Sequence, residues 1–176
     1  MDLVQMLSSA VQNVTAVGIR LVLALSLVGG IVGLMTHFGR IFGRARRGQM
    51  QEGPGKILTV VLLCGAVMSL HSVMTATSHQ MGLGEVTFGA IAYVSEGQYG
   101  PAAVAVNAVL TLLQLVGVSF ALGGLLRFVR ASKDGHTALS AGDDVTTGAK
   151  KLIAGVMLAC NPQLLDAVQN TLKIHW

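Results

Sequence analysis

GRIFGRARRGQMQEGPGK, residues 39–56, sets Arg40, Arg44, Arg46, Arg47 and Lys56 against a single acid, Glu52. The sequence before it, VTAVGIRLVLALSLVGGIVGLMTHF (14–38), and after it, ILTVVLLCGAVMSLHSVMTA (57–76), is apolar and long enough to cross a bilayer. Lys and Arg beside an apolar span are retained on the cytoplasmic side. The stretch therefore predicts the basic, cytoplasmic tip of a helical hairpin, residues 14–76.

A second hairpin is predicted over 102–176. Its first span (102–128) carries Asn107 and Gln114, polar groups expected to seek partners on neighbouring helices. Its tip (129–151) contains Arg130, Lys133, Lys150 and Lys151, with Arg127 just before it. The last span (152–172) is interrupted by Pro162, expected to kink it. Between the hairpins, residues 77–101 hold Glu85, Glu96 and several glycines but no Lys or Arg, which marks an outer connector. Within it, 86–94 fit either a short strand or an interfacial helix. Residues 1–13 place Leu3, Met6, Leu7, Ala10 and Val11 on one helical face, as in a lead-in helix lying at the membrane surface. The predicted fold is an all-α membrane protein of four transmembrane helices, with both termini outside and two basic cytoplasmic loops.

Composition agrees. Of the 176 residues, 52% are hydrophobic and only 11% charged, against about 25% charged in soluble domains. Mean hydropathy is +0.66. Four spans leave no room for a large soluble catalytic domain. The net charge of +4 does not by itself mark a nucleic-acid binder, because ten of the twelve Lys and Arg residues lie in or beside the two tips. Anionic headgroups are their expected partners. Direct nucleic-acid contact is the lesser reading, since the tips lack interleaved aromatics.

Sliding the chain by 94 residues places Asn13 on Asn107, Leu21 on Leu115, Gly29-Gly30 on Gly123-Gly124 and Lys56 on Lys150. The hairpins thus read as a parallel repeat, with similar surfaces that stack head to tail. Gly29, Gly30 and Gly33 in the first span, and Gly117, Ala121, Gly123 and Gly124 in the third, are the expected points of close helix approach.

No catalytic or metal-binding motif stands out, and no cofactor is expected beyond bound phospholipid. His71 and Asp166, aligned at an offset of 95, form a conceivable proton relay, but hydration near the outer surface explains both more simply. Cys64 and Cys160 fall in apolar spans and read as packed small side chains.

The second hairpin resembles the small inner-membrane hairpin proteins of type IVB secretion and conjugation systems, the IncI-type transfer (TraQ) and Dot/Icm (DotE/IcmC, DotP/IcmD, DotV) group. The shared pattern is an apolar helix with a GG pair, an aromatic-basic exit (Phe128 to Gly135), a polar loop with lysine, and an apolar helix interrupted by proline. The first hairpin lacks the KDG after Phe42 and the proline. This resemblance implies a non-enzymatic structural subunit of a transfer apparatus in the bacterial inner membrane, contacting lipid, further copies of itself and other subunits. The alternatives are a pilin-like subunit of an extracellular conjugative pilus, its basic loops lining the lumen, and a small transporter or channel using His71, Asp166, Asn107 and Gln114.

Overall fold

The computed structural model describes residues 3–48, 53–89, 91–132 and 138–173. All regular structure among them is helical. The helices are α1 (Leu3–Arg46), α2 (Pro54–Met68), α3 (Leu70–Gln80), α4 (Glu96–Tyr99), α5 (Pro101–Ala131), α6 (Ala138–Ala159) and α7 (Asn161–Leu172).

Helix α1 is a single rod of 44 residues, about 66 Å long at 1.5 Å per residue. The expected boundary between a lead-in and a first span is absent: no proline interrupts this region and the apolar pattern continues, so the helix propagates. It also continues past Gly39 through Arg40 and Arg44, which makes the non-helical part of the first tip shorter than expected. The second tip is corrected more strongly. Helix α6 begins at Ala138, so Lys150 and Lys151 sit on a helix, well inside it.

Both return arms break. Helices α2 and α3 meet at 90°, α6 and α7 at 80°, where a straight span was expected over 57–76 and one kinked at Pro162 over 152–172. At the first break, both the amide and the hydroxyl of Ser69 donate to the Gly65 carbonyl, local competition that bends helices. At the second, Pro162 lies in the opening turn of α7, where its missing N–H leaves no hydrogen bond unmade. Pro162 therefore opens the helix that follows the bend. Two helices, α1 and α5, are long and apolar enough to cross a membrane, or up to four spans if each bent pair counts as one.

Pairing differs between the hairpins. In the first, Gly30 meets Cys64 and Met68; in the second, Gly124 meets Gly148 and Leu152. Shifting Cys64 by 94 gives 158, not 152, so the arms pair in different registers. The α5–α6 pair is the most extensive contact in the molecule. The core gathers Val67, Leu70 and Met74 from the first return arm, Val118 and Ala121 from α5, and Val156 from α6. Helix α1 lies mostly outside it: 17% of its apolar window is buried within the chain, against 44% for α5.

Candidate functional site

Three constructions carry the chemistry of this molecule: a glycine seam, a docked connector and a basic-ended crevice.

The seam joins α5 to α6. A Cβ added at Gly117 would lie 2.6 Å from both Ala159 N and Gly155 O, and one at Gly124 2.7 Å from Gly148 O. Such distances exclude any side chain, so the backbones touch as they do between membrane helices rich in small residues. The surface expected to join one molecule to the next is thus partly consumed within the chain. The GG pairs split in function. Gly30 and Gly124 are at close contacts, whereas a Cβ added at Gly29 or Gly123 would meet nothing within 4 Å, so the packing expected of those two is not made within the chain.

The connector after α3 turns at Gly82 and Gly84, whose φ values of 75° and 82° favour glycine. It then runs along one face of α5, and its described residues form neither the short strand nor the interfacial helix expected over 86–94. Asn107, Thr111 and Gln114, spaced i, i+4 and i+7, take up its backbone. The Tyr93 and Val94 amides both donate to Asn107 Oδ1 at 3.0 Å, and Asn107 Nδ2 donates to Val94 O at 2.9 Å. Ile91 N donates to Thr111 Oγ1, and Gln114 Nε2 to Thr87 O. On the opposite side, His71 Nε2 donates to Val86 O at 3.2 Å and its ring meets Phe88 edge-on. Asn107 and Gln114 thus bind connector backbone, not side chains on other helices. Every non-helical backbone group placed beside a helix bundle needs such partners when water is scarce. Three polar residues on one face of an otherwise apolar helix are the sequence signal for this dock. Thr111, the member that sequence reasoning misses, is masked by the frequency of threonine in apolar spans.

His71 and Asp166 are not brought together. Asp166 lines a separate cavity of about 580 Å³ with Tyr93, Tyr99, Val106 and Leu165. Burial first, then the Asp166 carboxylate, push the Tyr93 phenol up from its ordinary value. Asn161 Nδ2 reaches Leu110 O on α5 at 2.7 Å, tying the second break to the α5 face that carries the connector. Cys64 and Cys160 are buried free thiols, the latter 3.2 Å from Ser78 Oγ.

The basic residues fall into two groups. Arg127 and Arg130 approach Asp144 at 3.2 and 3.7 Å, and Lys151 sits 5.9 Å from the centre of the Phe120 ring. Arg40 and Lys56 line a crevice of about 310 Å³ between α1, α2 and α5. Its polar side chains are Thr36, His37, Arg40, Lys56 and Ser132; its apolar lining comes from Val32, Val60, Cys64, Leu126 and Val129, with Gly29 and Gly33. Because residues 36–40 of α1 lie beside 129–132 of α5, the two tips share one end of the bundle. Arg44 and Arg46 occupy the last turn of α1, with Arg47 just beyond it; Lys150 lies exposed on α6. Lys133 lies outside the described residues, as do Glu52, His175 and Trp176.

Among the described residues, no group of three His, Cys, Asp or Glu side chains is placed to hold a metal ion. Comparison with protein-family models, with curated proteins and with solved structures returns no match.

Proposed function

We propose that this chain is a non-enzymatic structural subunit of a type IVB secretion or conjugative DNA-transfer apparatus in the bacterial inner membrane. In this reading it makes four spans as two parallel hairpins, both termini outside and both basic tips in the cytoplasm. It assembles by packing its helices against other subunits and further copies of itself.

One observation carries the proposal. Helix α1 leaves Val14, Val17, Leu21, Val28, Ile31 and Met35 exposed along about six turns, an apolar face its own chain does not cover. A continuous surface of this size is stable only against lipid or other apolar helices. The resemblance of the second hairpin to the type IVB group supplies the kind of assembly. The polar groups inside the bundle support a structural role too: Asn107, Thr111, Gln114 and His71 are engaged in holding the connector.

Purification of a tagged copy in mild detergent tests this. Recovery in a large membrane complex with other transfer proteins, and a disulfide between copies or to a neighbour from Val28→Cys, are the expected outcomes. Recovery in sheared extracellular filaments replaces the reading with the pilin-like one. A monomer that stays soluble without detergent refutes both.

A further inference from the structure

We propose that the crevice between α1, α2 and α5 is a binding site for one anionic phospholipid, drawn from the leaflet at the basic end of the bundle. The inference rests on the membrane reading given above, but not on membership of a transfer apparatus.

Three independent helices give the crevice the same polarity. Along α1 the lining passes from Gly29 through Val32 and Gly33 to His37 and Arg40; along α2, from Cys64 through Val60 to Lys56; along α5, from Leu126 through Val129 to Ser132. Apolar groups lie toward the middle of the bundle and cationic or hydroxyl groups toward its basic end, which is the polarity of a lipid. The length fits as well. Gly29 to Arg40 is 11 residues, about 16 Å of helix, and one leaflet of hydrocarbon is about 15 Å thick. Gly29 matters here because an added Cβ would have no neighbour within 4 Å. Its missing side chain leaves the apolar part of the crevice open.

A lipid tail entering from the bilayer exchanges one apolar surrounding for another, so the walls supply shape and little affinity. Selectivity resides at the cationic end, where Arg40 offers a planar fork suited to phosphate oxygens. That cation favours an anionic headgroup over a zwitterionic one by about fivefold.

The test uses the full chain in nanodiscs containing equal phosphatidylglycerol and phosphatidylcholine, with retained lipid counted by native mass spectrometry after transfer to mild detergent. The expected result is one retained phosphatidylglycerol per chain. Arg40→Gln lowers the preference about fivefold, while Arg46→Gln, outside the crevice, leaves it unchanged. Gly29→Leu keeps Arg40, fills open space and abolishes retention; Val32→Trp does the same from the neighbouring turn should the first variant lose helicity by circular dichroism. Equal retention of the two lipids overturns the proposal, as does retention that survives both filling variants. Displacement by soluble glycerophosphate alone identifies an anion site and overturns the lipid. A protein that inserts and folds normally yet shows no preference refutes this site while leaving the membrane reading intact.

Discussion

Replacing Gly155 by alanine adds one methyl group where the structure has no room for it. The new carbon would stand 2.5 Å from Ala121 N and 2.6 Å from Gly117 O, whereas relaxed contacts lie near 3.5 Å or beyond. Both obstacles are backbone atoms on α5, so no rotamer change relieves the clash and the helices must separate by about 1 Å. A gap of that size forfeits a quarter to a half of each contact's attraction, and overpacking of this kind costs about 1–3 kcal/mol. Alanine returns up to about 1 kcal/mol through its better helix propensity. Gly123→Ala is the matched control, because nothing lies within 4 Å of the added carbon, and it receives the propensity gain without the clash. The two variants should therefore differ by about 1–3 kcal/mol, with Gly155→Ala the weaker. Unfolding in mixed micelles by increasing dodecyl sulfate, followed by far-ultraviolet circular dichroism, reads this difference. Equal midpoints for the two variants would mean that α5 and α6 do not meet at this seam.

Three further outcomes are expected. Asn107→Leu leaves two amides and a carbonyl of the connector without partners, at about 1–3 kcal/mol each if they stay buried; the connector should detach instead, so that Ile91→Cys reacts with an impermeant maleimide only in the Asn107→Leu background. Equal labelling in both backgrounds contradicts the docked connector. With Tyr99→Phe leaving Tyr93 as the only tyrosine, ultraviolet titration should show the phenol ionising above its ordinary range near 10. Because the shift is upward, Tyr93's contribution to stability is complete below that ordinary value and is lost as pH rises through the folded-state one. Asp166→Asn should lower the midpoint only part of the way, since burial is the larger cause; a midpoint at the ordinary value in the parent protein contradicts the half-buried placement of Tyr93. Changing Arg44, Arg46 and Arg47 together to Glu should invert the first hairpin or abolish its insertion, seen as Ala45→Cys becoming reactive from outside; unchanged cytoplasmic reactivity argues against charge-set orientation.

Much of the helical layout was legible because it follows from local rules. The apolar stretches around residues 39–56 and the basic residues between them mark the first turn-round, and Pro162 marks the second break to within two residues. Ser69 was not legible. Neither glycine nor proline stands there, and the break involves a serine side chain competing for a carbonyl that sequence pattern does not reveal. The roles of the paired glycines were half legible: spacing locates a GG on α1 and on α5, but only packing decides that Gly30 and Gly124 are pressed against a helix while Gly29 and Gly123 are not. The connector was the least legible part. Its irregular backbone carries no periodic signal, and its position depends on three side chains from α5 that lie 13 to 27 residues further along the chain.

The uninterrupted run of α1 has a mechanical consequence. At about 66 Å it is more than twice the roughly 30 Å of a bilayer's hydrocarbon, so a membrane around it would leave more than half of the rod in headgroups or water. An isolated load on either tip would travel to the other through hydrogen-bonded turns alone, with no loop to absorb it. A partner that tilts one end of such a rod must swing the arginines at the other.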